Sequence, residues 1–424
     1  MSKYRLTTLS PIHISSGNEF ELNFNLLEKD NFVYIYDEFS IVDFFIAHGI
    51  LVPLNLDRLK QEIKKHSKEI VASNLHIRKI ETYFYSFTKP LLENVTTAYN
   101  PIITGSSIKG SLRTAILDCM TNLNSCENLK NGFKERTFDE KRFQKRFDND
   151  LANLFKYLKV TDSYSLLETQ IYKTINVKKE KLHQKNREPK TEKISNYVEA
   201  IKPNQSFIIE IKDTHEDKNF QNIGIVCNQF YIPFLGRDEK IYFSQSGYLK
   251  DKITKLKLSN NIFLINVGRF SGAEQKSLNN LREIKGVKEE DKSKTTARTF
   301  ALEKNIRDKE LFENKLLPFG WILCEKIDKE IKIEITKNHQ KDDRFRAIDA
   351  IHRLQESKIE EQREKEELKK EAQKREAETK AKKEAEEKAK LASMTPVQRL
   401  VDSYNDMAVL INNMRAGKIE DLNL

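Results

Sequence analysis

Residues 99–117 read Tyr99-Asn-Pro-Ile-Ile-Thr-Gly-Ser-Ser-Ile-Lys-Gly-Ser-Leu-Arg-Thr-Ala-Ile-Leu117, a small-residue segment that leads directly into a helix opening on basic side chains. Gly105 and Gly110 allow tight turning and close backbone approach to a ligand. Ser106, Ser107 and Ser111 offer hydroxyl donors, while Lys109 and Arg113 place charge beside the N–H groups of a helix start. In outline this is a phosphate-binding segment. A Walker A loop requires Gly-x-x-x-x-Gly-Lys-Ser/Thr, and Lys109 here precedes Gly110, which argues against a nucleotide-hydrolysing P-loop. An ordinary tight turn before a capped helix fits the same residues, so the pattern alone leaves both readings open.

Composition narrows the partner. The chain has 424 residues, 38% hydrophobic and 33% charged, which suits two modest cores under a large polar surface. No run approaches the roughly 18 to 20 apolar residues of a membrane span, and no apolar leader precedes the first strand, so the expectation is a cytoplasmic protein with no membrane partner. Cys119, Cys126, Cys227 and Cys324 are scattered without a Cys-x-x-Cys pair, and the histidines form no His-Glu-x-x-His pattern; reduced thiols, no metal and no cofactor are expected. The net charge is +10, yet residues Lys341 to Lys390 hold 16 Lys/Arg against 15 Asp/Glu. The positive excess therefore belongs to the rest of the chain, as nucleic-acid binding requires.

Outward from residue 99, apolar runs at 4–15 and 22–36, the second broken by Glu28-Lys-Asp-Asn31, predict strands and a hairpin. Between Ile41 and Leu92 the spacing of Leu59, Ile63 and Ile70 predicts inserted helices. Strands are expected at Leu158–Val160, Gln170–Val177, Phe207–Lys212, Gly320–Lys326 and Glu330–Lys337, the last on Ile331, Ile333 and Ile335. Residues 124–150 and Lys178–Lys193 are polar and charged; the latter reads as a basic finger over RNA or as a soluble hairpin tip. From Asp342 to Leu391 a Glu/Lys/Ala/Arg run without proline or glycine predicts a solvated helix, with pairs such as Glu361/Lys365 four apart and no coiled-coil seam. Thr395-Pro396 then starts a short helix whose Val397, Leu400, Val401, Tyr404, Met407, Leu410, Ile411 and Met414 form one apolar stripe.

The segment Pro101-Ile-Ile-Thr-Gly-Ser-Ser-Ile-Lys-Gly-Ser-Leu-Arg-Thr114 resembles the P-x-I-P-G-S-S-L-K-G-A-I-R-T segment of RAMP proteins, RNA-binding subunits of type III CRISPR effector complexes, with Thr104 where that family carries a second proline. Leu6–Gly17, Leu158–Ser163, Asn266–Gly272 and Leu317–Trp321 are similar, in the same order, to the Csm-type members that cap the 3′ side of the guide RNA. The resemblance spans roughly residues 4 to 325. It implies an α+β fold of two ferredoxin-like (RRM-like) RAMP domains with helical insertions, followed by the charged and amphipathic helices. The expected divisions are 1–215, 216–340, 341–392 and 393–424.

The same resemblance implies CRISPR RNA (crRNA) and other RAMP subunits of a type III-A complex as partners, and leaves trimming of the guide's end open between this chain and a recruited nuclease. Gly105, Ser106, Ser107, Lys109, Gly110 and Arg113 form one expected RNA contact. Gly268, Arg269, Phe270, Gly272 and Lys276 form the other, with charge for phosphate and a ring for a base. His13, in a loop beside Ser15, Ser16 and Gly17, is a candidate acid or base for an endoribonuclease, or else a structural histidine. Asp37 and Asp162 are not assigned catalysis; Asp162 is expected to support a turn. The C-terminal helix docks either on the body of the chain or on a further protein, and a scaffold role is the third reading.

Overall fold

The computed structural model describes residues 2–84, 87–123, 155–163, 167–177, 195–214, 220–242, 249, 253, 256–279, 298–303, 316–327 and 339–415. The charged stretches 124–150 and 178–193 and the strand expected at 330–337 lie outside these residues. In chain order the first elements are β1 (Ser2–Thr8), β2 (Ser15–Phe20), β3 (Leu26–Lys29), β4 (Phe32–Ile35), α1 (Glu38–Ala47), α2 (Leu56–Lys65) and α3 (Ser67–Ala72). Then follow β5 (Arg78–Glu81), β6 (Leu91–Asn94), β7 (Thr96–Thr97), β8 (Asn100–Pro101), α4 (Gly105–Leu123), β9 (Leu158–Val160), β10 (Thr169–Val177), β11 (Tyr197–Ile201) and β12 (Ser206–Asp213). The remainder is α5 (Ile223–Tyr242), β13 (Ile262–Asn266), β14 (Arg298–Leu302), β15 (Leu317–Pro318), β16 (Trp321–Ile327), α6 (His339–Ser393) and α7 (Pro396–Arg415).

Alternation in β1 turns Tyr4 and Leu6 inward and leaves Arg5 out, and its neighbours repeat the pattern with Phe207, Ile209 and Ile211. The resulting five-stranded sheet has the order β13-β16-β1-β12-β9, every pairing antiparallel. Strand β9 thus runs parallel to β1 across α4, and β16 runs parallel to β12 across α5. Strand order β16-β1-β12-β9 with two such crossovers is the ferredoxin-like arrangement, with β13 added at its edge. Ile108, Leu112 and Ala115 of α4 and Phe230, Tyr231 and Phe234 of α5 share one core with this sheet. Tyr231 is satisfied there by Ser111, donating to its carbonyl at 3.0 Å and meeting its hydroxyl at 2.7 Å.

A second, nine-stranded mixed sheet runs β2-β6-β11-β10-β5-β4-β3, with β14 on β10 and β15 on β14. Its core gathers Val33, Ile35, Ile80, Leu91, Ile171, Ile175 and Phe300. The β3–β4 hairpin turns at Asp30 and Asn31, both with left-handed φ (52° and 63°), as a two-residue turn between twisted strands requires. Each sheet takes strands from both sides of residue 215: β13 and β16 join the first, β14 and β15 the second.

Residues Met1–Asp349 form one compact unit and Ala350–Leu424 another. Helix α6 is about 80 Å long at 1.5 Å per residue and almost wholly solvated between residues 359 and 390, as its charged composition demands. Helix α7 begins at Pro396 and exposes Val397, Leu400, Val401, Tyr404 and Met407. The α+β class and both C-terminal helices agree with the sequence reading. No described helix is long and apolar enough to cross a membrane.

Candidate nucleic-acid interface

Helix α4 starts at Gly105, so the segment read as a loop is already helical by Ser106 and Gly110 lies in the second turn. Two of its first-turn N–H groups, those of Gly105 and Ser107, are met from within the protein. Gly105 N–H donates to Asp162 Oδ1 at 2.7 Å, and Thr104 Oγ1 accepts from Ser107 N–H at 3.3 Å and from the Ser106 hydroxyl at 3.1 Å. Thr104, the departure from the family's proline, therefore acts as the helix cap, and Asp162 serves as a capping carboxylate. A side chain at Gly105 would collide with the Val160 and Thr161 carbonyls, so glycine lets α4 press against β9. Ser111 faces inward to Tyr231.

What α4 leaves to solvent is a face. Ser106, Lys109, Gly110 and Arg113 follow the i, i+3, i+4, i+7 spacing and point to one side over two turns. A methyl group added at Gly110 would meet none of the described residues within 4 Å. Partial desolvation and then the charges of Lys159 and Arg113 hold the Lys109 ammonium pKa below its usual range. Arg113, its own pKa lowered by desolvation, lies 5.2 Å over the Phe155 ring. Lys159 stands exposed in β9, directly opposite exposed Lys212 of β12. Neither lysine was singled out from sequence; the alternation of Leu158-Lys-Val160 is the signal that turns Lys159 outward.

The second expected contact, Gly268–Lys276, is brought against the His13 loop. Gly268 has φ of 90° and no room for a side chain against the His13 carbonyl, which accepts the Arg269 N–H at 2.8 Å. Gly272, with φ of 95°, makes way for buried Arg298, whose Nη1 donates to the Ser271 carbonyl at 2.9 Å. The Phe270 ring packs against Phe319 at 5.2 Å and His13 at 5.4 Å and is partly buried on the core. Arg269 and Lys276 remain exposed, linked by a 3.4 Å hydrogen bond from Lys276 Nζ to the Arg269 carbonyl. Desolvation and then the Arg269 charge lower the Lys276 pKa. Gly320 closes the same junction, donating to the Pro11 carbonyl at 2.9 Å.

His13 sits under this junction, 1% exposed. Its Nδ1–H donates to the Glu199 carbonyl at 2.7 Å, which leaves Nε2 as a buried acceptor without a partner among the described residues. Burial lowers its pKa to about 4, with Arg269 contributing in the same direction, so the ring is neutral near pH 7. Below it, Glu199 and Glu93 hold Arg78 at 2.5 and 2.9 Å, and Glu93 accepts from Ser16 and Asn18. Asp37 is likewise occupied: it caps α1 at Ser40 N–H (2.8 Å) and pairs with Arg344 at the root of α6. Among the described residues no group of three or more His, Cys, Asp or Glu is placed to hold a metal ion.

The family model of the RAMP superfamily matches residues 5–374, extending into α6 beyond the roughly 325 at which the sequence resemblance stops. No curated protein matches the sequence. A chain of the cryo-EM structure of a Csm-crRNA-target RNA ternary complex in a type III-A CRISPR-Cas system is similar at 17% identity and TM-score 0.51, over 77% of this chain and 100% of that one. The crystal structure of T. onnurineus Csm5 aligns at 18% identity and TM-score 0.49, over 75% and 99%. The first of these is a likeness of fold.

Proposed function

The chain belongs to the RAMP superfamily, and from that premise we propose that it is a crRNA-binding subunit of a type III-A (Csm) effector complex. In this reading it caps the backbone filament at the 3′ end of the crRNA, contributes to guide maturation and serves antiviral defence. Its partners are crRNA, other RAMP subunits and a recruited nuclease. The observation that carries the proposal is the exposed α4 face. Glycine in a helix interior costs about 1 kcal/mol relative to alanine, and at Gly110 no neighbour among the described residues requires it. A bare backbone flanked by Lys109 and Arg113, with Lys159 adding charge, suits close approach of a phosphate chain. Arg269 and Lys276 extend the contact to the second loop.

Backbone contacts of this kind hold RNA without reading its sequence, so specificity rests with the guide. The endoribonuclease alternative draws little support from His13, which is buried, neutral and covered by Phe270. The test is to purify the tagged chain from cells carrying its neighbouring genes and to sequence the bound RNA. Repeat-spacer RNAs of ordered length together with other RAMP subunits are expected. Unrelated RNA, or none, would overturn the assignment.

A further inference from the structure

A cleft of about 370 Å³ opens where β5 and β10 diverge, these strands being registered at a single pair, Gln170 opposite Glu81. Its walls include Phe32, Lys79, Glu81, Glu168 and Lys202, with Tyr99 on the side of the β7–β8 hairpin. Both residues at that hairpin tip, Ala98 and Tyr99, have left-handed φ, 48° and 66°. Asn-Gly adopts such a turn without strain, whereas Ala-Tyr does not, and strain of this kind persists where it sets a side chain in position. The Tyr99 ring stays 43% exposed, with the Arg344 guanidinium 5.4 Å from its centroid.

The charge pattern decides what the cleft suits. Lys202 bridges Glu81 at 3.4 Å and Glu168 at 3.3 Å, and Lys79 lies 4.0 Å over the Phe32 ring. Arg78, also in the lining, is spent on Glu93 and Glu199. The two lysines and two glutamates cancel, which makes a poor receptor for a phosphate. A ring surface beside a carboxylate and an ammonium fits a planar base that presents N–H donors next to a carbonyl.

We propose that this cleft receives one unpaired nucleobase, guanine by preference. Tyr99 gives the stacking surface, Glu81 or Glu168 accepts the N1–H and amino hydrogens, and Lys202 donates to O6. The proposal rests on the RNA-binding reading for the source of the base and uses none of the residues of the α4 face.

The test uses the full chain and two unstructured 12-nucleotide RNAs, one all uridine and one with a single central guanosine, with affinity, its salt dependence and ultraviolet cross-links measured. The guanosine RNA is expected to bind about tenfold more tightly and to cross-link within residues 96–101. Tyr99→Phe should keep that preference. Tyr99→Gly, which tolerates the left-handed φ, should abolish it without changing the salt slope. Equal affinity of wild type and Tyr99→Gly for the guanosine RNA, or cross-links only elsewhere, would overturn the cleft. An intact Tyr99-dependent preference with a salt slope indifferent to Lys109 and Arg113 would instead overturn the α4 reading and keep the cleft. Failure of the wild type to bind either RNA would sink both.

Discussion

Gly110 and Gly268 lie in the two glycine-containing segments that the sequence offers as RNA contacts, and their surroundings are opposite. A methyl group added at Gly110 enters open space, whereas one at Gly268 runs into the carbonyl of His13. Gly105 and Gly272 side with Gly268: the chain itself, at Val160, Thr161 and Arg298, occupies the room their missing side chains leave. A glycine-rich motif therefore carries two messages that sequence cannot separate. One is close packing of the protein against itself, and the other is close approach of something else.

The largest effects should come from forcing that distinction. Gly105→Ala and Gly268→Ala are expected to cost about 3 kcal/mol each through overlap with backbone, and at Gly268 through the left-handed φ as well. Chemical denaturation would show it, and wild-type stability in either variant would mean that these glycines serve a ligand after all.

The pH dependence of stability tests the His13 side of the comparison. Its folded pKa of about 4 lies below the unfolded value near 6.5, so the unfolded chain takes up the proton first. This contribution is complete above pH 6.5 and is lost as pH falls toward 4, by about 3 kcal/mol. His13→Gln should flatten that limb of the stability profile. A His13 resonance titrating near pH 7 by NMR would revive an acid–base role.

The smallest effect is the sharpest in sign. Gly110→Ala should stabilise the fold by about 1 kcal/mol while weakening RNA binding, because the added methyl stands where a phosphate backbone approaches. Improved stability with unchanged RNA affinity would leave Gly110 without a ligand.

Much of this architecture was legible in the sequence. Strict alternation at Phe207–Lys212, which became β12, and the uninterrupted Glu/Lys/Ala run of α6 are local patterns that tertiary context had no reason to override. The quoted motifs also meet in space: Gly105 contacts the Leu158–Ser163 segment through Asp162, and the segments around His13, Gly268 and Gly320 converge. Partnership was not legible. That Asp162 caps α4, that His13 loses its solvent to a ring 257 residues away, and that Lys159 joins Lys109 depend on long-range contacts absent from any local pattern. Sequence marks Thr104 only as a departure from the family's proline, and its capping role is visible only with the helix start in place.

The most direct measurement is the salt dependence of RNA binding by the full chain with Lys109 and Arg113 both replaced by alanine. Losing two phosphate contacts should lower affinity and flatten the slope of log K against log salt by about 1.4, at roughly 0.7 per contact on single-stranded RNA. An unchanged affinity and slope would contradict the claim that the exposed face of α4 holds the RNA.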